Sequence, residues 1–117
     1  MAERGRVGRS PESAELRKLR QRIDALDRRI VELLNERARL ALEVGATKAA
    51  SRQPIRDAER EREVLLRVTM GNNGPLPQAD LLALYRRLIA STRRLEADAR
   101  RRGRSGDDGG DAPAREG

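Results

Sequence analysis

Residues 16–48 read LRKLRQRIDALDRRIVELLNERARLALEVGATK, and the spacing of their apolar side chains decides the fold. Leu16, Leu19, Ile23, Leu26, Ile30, Leu33, Leu40 and Val44 fall alternately three and four residues apart, the pattern of a helix packed along an apolar seam. One slot of that repeat holds Arg37 instead. A guanidinium on such a seam costs several kcal/mol unless an anion pairs with it, about 3–5 when it is left buried alone. Lys48 follows eleven residues later and returns to within about 20° of the same direction, about 16 Å further along the axis. Two cations on one helix wall can converge on a small anion. The competing reading is an Arg37 that reaches solvent or pairs with Glu36 or Glu43, and a Lys48 that answers the helix dipole.

Composition bounds the rest. The 117 residues are 38% charged and 1% aromatic, with no Cys, His, Trp or Phe. That suits one small all-α domain with an aliphatic core. It removes thiol nucleophiles, imidazole acid–base chemistry, disulfides and the usual zinc ligands, so no metal and no cofactor is expected. The N-terminal MAERGRVGRS has no apolar signal region and no run reaches membrane-spanning length, so a soluble, cytoplasmic chain without a membrane partner is expected. The net charge of +7 raises nucleic acid as a partner. Its distribution argues against that: most helical cations alternate with carboxylates, as in LDRRIVELLNERARL, and no aromatic side chains are available to stack on bases.

Residues 1–9 read as a disordered basic arm and 102–117 as a disordered, low-complexity tail, leaving 10–101 as the helical domain. Ser10 as N-cap and Pro11 at N1 predict a first helix from there to Ala50, about 60 Å long. The remaining chain is too short to cover it, so a second copy of the chain is expected along it, giving an intertwined homodimer. The other arrangement is a monomeric helical hairpin kinked at Gly45, where a close approach by a neighbour or ligand would explain the glycine. Asp57 predicts the cap of a second, short helix with Val64, Leu65 and Val68 as its stripe. GNNGPLP (71–77) marks a break, and a third helix of intermediate length follows from Pro77 to about Arg101. Its inner face, Leu81, Leu82, Tyr85, Leu88 and Ile89, continues into Thr92 and Glu96. A hydroxyl and a carboxyl there are either inward groups or the fraying of an amphipathic pattern.

The ordered motifs RxxIDxLD (Arg20–Asp27), LLxER (Leu33–Arg37), EVGxxK (Glu43–Lys48) and PIRDxxRE (Pro54–Glu61) resemble those of the all-helical AroQ-type chorismate mutases over about residues 14–98. The resemblance implies three helices per subunit, two intertwined subunits, and a site built from both. It implies rearrangement of chorismate to prephenate, on the route to phenylalanine and tyrosine, without a covalent intermediate. Arg37 would hold one substrate carboxylate, and Arg20, about 100° off the Arg37 face, the other site's. Lys48 would donate to the ether oxygen, with Arg60 in support. Glu61 and Asp57 would hold the hydroxyl, and Val44 and Ile89 would form apolar walls. Thr92 and Glu96 fall where many bacterial members carry Ser and Gln, and the Thr/Glu pair is similar to the fungal branch. A carboxyl that donates to the ether oxygen must keep its proton, so Glu96 would make activity pH-dependent. An isochorismate pyruvate-lyase on the same fold, or a non-catalytic basic interaction module, are the alternatives. The length leaves no room for a second catalytic or regulatory domain, and some small relatives dock on another shikimate-pathway enzyme.

Overall fold

In the computed structural model, which describes residues 12–111 and the side chains of 12–104, the chain is three α-helices and, among the described residues, no strands. They are α1 (Ala14–Ala50), α2 (Ala58–Gly71) and α3 (Gln78–Asp111). Contacts divide the chain into two compact units, with the boundary inside α1 between Glu36 and Arg37. No described helix is long and apolar enough to cross a membrane.

In the first unit α1 starts later than the Ser10–Pro11 signal predicts. Those two residues lie outside the described range, and residues 12 and 13 are not helical. Ser13 is the cap instead: its Oγ accepts from the Leu16 amide at 3.0 Å and its carbonyl from Arg17 at 3.1 Å. Glu15 lies inside the turn that Ser13 opens, where the helix dipole favours a negative charge. The whole apolar seam of this unit lies open to solvent. Leu19 is 46% exposed, Ile23 55% and Leu26 61%.

In the second unit α1 runs unbroken through Gly45, so the kinked hairpin is not formed. A Cβ at Gly45 would stand 3.2 Å from Cγ and 3.3 Å from Oε1 of Glu96, so the close approach is that side chain. The helix ends in a Schellman pattern: Gln53 N–H donates to Lys48 O at 2.8 Å and Arg52 N–H to Ala49 O at 3.1 Å. Arg52 occupies the left-handed position, φ 59°, that glycine usually takes. A side chain there costs roughly 1–2 kcal/mol. Arg52→Gly should therefore stabilise the fold by up to about 1 kcal/mol after the extra freedom glycine adds to the unfolded chain, read as a higher urea midpoint at fixed protein concentration; a lower midpoint would show that the Arg52 side chain holds the connection.

Asp57 caps α2, its Oδ1 accepting from the Arg60 amide at 3.0 Å. Glu61, Val64, Leu65 and Val68 are the half-buried face of α2, which packs on α3. Asn72 holds the 72–77 break: its Nδ2 donates to Leu76 O at 3.1 Å and to Gln78 Oε1 at 2.9 Å, and its Oδ1 accepts from Gly74 N–H at 3.0 Å. α3 then continues to Asp111, ten residues beyond the end expected near Arg101. Once nucleated, a helix gains a hydrogen bond with each added residue, and no proline interrupts this one before Pro113. The rest of the expected tail, like the 1–9 arm, lies outside the described residues.

Candidate active site

A cavity of about 240 Å³ in the second unit collects the polar residues of all three helices. From α1 come Arg37, Val44 and Lys48, one face of the helix as their spacing requires. The α2 cap and first turn supply Asp57, Arg60 and Glu61, and α3 supplies Ile89, Thr92 and Glu96. Arg20 belongs to the first unit, where it forms an ion pair with Glu12. A larger cavity of about 720 Å³ shares only Glu96 with this one and lacks Arg37, Lys48 and the α2 residues. The chemistry therefore sits in the smaller.

The charges are arranged unequally. Arg37 forms no salt bridge with Glu36, Glu43 or another described carboxylate; its guanidinium lies over the Tyr85 ring, 5.9 Å from the centroid. A ring face holds a cation without occupying its N–H groups, which stay available to an anion. Lys48 Nζ donates to the Ile55 carbonyl at 2.8 Å, so the ammonium is fixed at the cavity with donors to spare. Arg60 turns along its own helix to Glu63 at 2.9 Å. Glu61 is held by Arg93 and, at 3.9 Å, by Arg56, which fix its carboxyl group in place.

Thr92 is the one fully buried polar residue among the described residues. Its hydroxyl donates back into α3, to the carbonyls of Leu88 at 3.2 Å and Ile89 at 3.1 Å, and its oxygen keeps acceptor capacity. Glu96 Oε1 is shut from solvent and has no hydrogen-bond partner. Burial raises the Glu96 carboxyl above the ordinary value, against the opposing pull of Lys48, Arg100, Arg37 and Arg93. Desolvation wins that contest, so the inward reading of α3 replaces the fraying one.

Arg93 was not among the residues the sequence singled out. It lines the cavity and anchors Glu61, and it lies four residues after Ile89, a spacing that would have pointed to it. Tyr85 was read as part of the apolar face; its service as the seat of Arg37 depends on two helices meeting, which no local pattern reports.

Three helices thus gather arginine and lysine around a small cavity, in a chain with no thiol or imidazole. The chain belongs to the chorismate mutase type II family, whose sequence pattern matches residues 19–97. It is 41% identical over 86 residues to the bifunctional chorismate mutase/prephenate dehydratase of Aquifex aeolicus, covering 70% of this chain and 24% of that protein. With the Escherichia coli K12 enzyme of the same description it shares 42% over 72 residues, 61% of this chain and 19% of the relative. The chain thus spans about a quarter or less of these relatives' length. Its fold is similar to chorismate mutase from Thermus thermophilus (TM-score 0.69, 32% identity, 71% of this chain and 94% of that one). It is equally similar to Helicobacter pylori chorismate mutase in complex with prephenate (TM-score 0.68, 29% identity, 76% and 97%).

Proposed function

We propose that this chain is a chorismate mutase that works as a homodimer. The observation that carries the reading is the convergence of Arg37 and Lys48, both without a carboxylate partner among the described residues, on a cavity also lined by the half-buried Glu96, whose Oε1 is shut from solvent. Chorismate is a dianion, and its rearrangement breaks the C–O ether bond while a C–C bond forms, with no net proton transfer. Arg37 would take one carboxylate. Lys48 would donate to the ether oxygen and a carboxylate, where negative charge grows as the bond breaks. Glu96, carrying its proton, would give a second hydrogen bond to that oxygen. Glu61, held by its arginine partners, would accept from the substrate hydroxyl, with Asp57 nearby. Thr92 has an oxygen lone pair for a substrate group, Arg60 can turn from Glu63 toward the dianion, and Val44 and Ile89 would press the substrate into its folded, reactive conformer.

The second copy is supported by the bare seam of the first unit. Burying a leucine or isoleucine side chain is worth about 1.5–3 kcal/mol, and none in this chain is fully buried among the described residues. A partner's Arg20 would then complete the site with the second carboxylate contact. The direct experiment is purified protein with chorismate, following prephenate; pyruvate release would instead mark a lyase, and no conversion would remove the reading.

A pH–rate profile tests Glu96. Its value is raised in the folded protein, so the donor form is full at low pH and is lost as pH rises through that raised ionisation. Wild-type kcat/KM should fall there, and Glu96→Gln, a permanent donor of the same shape, should stay active and lose that limb. The stability sign is the same: the protonated carboxyl's contribution disappears over that rise, so Glu96→Gln should melt above wild type at alkaline pH. Identical profiles, or an inactive Gln variant, would remove Glu96 as donor.

A further inference from the structure

Two side-chain atoms in the described structure are sealed from solvent without a hydrogen-bond partner: Glu96 Oε1 and Arg100 Nε. They carry opposite chemistry, an acceptor and a donor, on consecutive turns of α3. Glu at i with a cation at i+4 is the orientation in which such side chains meet most favourably. Two orphaned groups of complementary kind, one turn apart, would satisfy each other after a rotation of the carboxyl.

The remainder of Arg100 is anchored. Nη1 donates to the Gln53 carbonyl at 2.9 Å and Nη2 to the Gly45 carbonyl at 3.5 Å. The guanidinium thereby ties α3 to α1 and to the α1–α2 connection, the segment whose Ile55 carbonyl receives Lys48. Glu96 lies across Gly45 and lines both cavities, the smaller with Lys48 and the larger with Arg100. The carboxyl therefore has two places to turn.

We propose that Arg100 is a positioning residue for Glu96: clamped to two backbone carbonyls, it holds a vacant Nε–H behind the carboxyl and draws it away from the smaller cavity whenever it ionises. The protonated carboxyl has no such attraction and stays available as a donor. The inference rests on the proposed role of Glu96. Other charges face the same carboxyl: Lys48 and Arg37 from α1 and Arg93 from α3. Asp57, Arg60 and Glu61 line the smaller cavity, and Arg52 and Arg104 the larger. Of these, Arg100 alone combines a sealed, unpartnered N–H with a fixed anchor one turn away.

The test pairs a carboxyl titration with kinetics. ¹³C NMR of the Glu96 carboxyl, in the full chain without substrate, is followed with pH in wild type, Arg100→Gln and Arg100→Lys. Removing the cation removes a force that favours ionisation, so the midpoint in Arg100→Gln should move to higher pH, by about one unit or less. Arg100→Lys keeps the charge and should lie nearer wild type. The descending limb of kcat/KM should move with the NMR midpoint, and in the Glu96→Gln background Arg100→Gln should move nothing. An unmoved midpoint in a folded Arg100→Gln variant, with activity lower at every pH, would make Arg100 a brace only and overturn the inference. A shifted NMR midpoint without chorismate turnover would leave the Arg100–Glu96 linkage standing and sink the mutase reading instead.

Discussion

Replacing Lys48 with alanine is expected to lower kcat by about 10²-fold or more, the size of loss that follows removal of one preorganised donor to a developing oxyanion. Lys48 is held by a single neutral acceptor, the Ile55 carbonyl, at 2.8 Å. Among the described residues its charge is therefore not spent on a carboxylate. The same bond ties the α1–α2 connection to the end of α1, so the variant should also lose stability, by about 1 kcal/mol for one partly exposed charge-assisted bond. The two effects separate in one set of measurements. Circular dichroism should show a folded, slightly less stable helical protein, while turnover of chorismate collapses. Near-wild-type kcat in Lys48→Ala would mean that the cation does not touch the breaking bond.

The second large effect tests whether the site is shared. Arg20→Ala and Arg37→Ala dimers should each lose most activity, on the order of 10²-fold for loss of a carboxylate contact in a desolvated site. Mixed and re-equilibrated, they should regain a measurable part of it. If Arg20 serves the partner's cavity, a heterodimer places both substitutions in one site and leaves the other intact. Recovery should follow subunit exchange in time and fail when exchange is blocked by low temperature. If the bare seam of α1 holds two copies together, light scattering should give twice the chain mass, and dilution should lose helicity and activity together. A stable, active monomer would remove both the dimer and the role of Arg20 in trans.

Much of this was legible in the residues. The three-four alternation from Leu16 to Val44 states a helix and its apolar face, because the period of the backbone alone decides which side chains share a direction. Capping chemistry is equally local, and it placed the start of α2 at Asp57. At the start of α1 the observed cap is Ser13, which the Ser10–Pro11 signal does not mark. The α3 apolar pattern ends near Ile89, but the helix itself needs no pattern to continue, so its end at Asp111 was invisible to a reading based on burial.

Helical spacing alone also put Arg37 with Lys48, and Thr92 with Glu96, on their respective faces. What it could not supply was the relation between faces. Tyr85 beneath Arg37, Ile55 beside Lys48, Glu96 across Gly45 and Arg93 on Glu61 join residues far apart in the chain, and their distances arise only when the helices are packed. The same holds for the proton affinity of Glu96. Its sequence neighbours allow either a raised or a lowered affinity, since desolvation depends on everything around the carboxyl and the opposing cations act through distance. Periodicity in the chain fixed the directions in which the groups point; the packing of α1, α2 and α3 decided which of them meet and that burial outweighs the cations at Glu96.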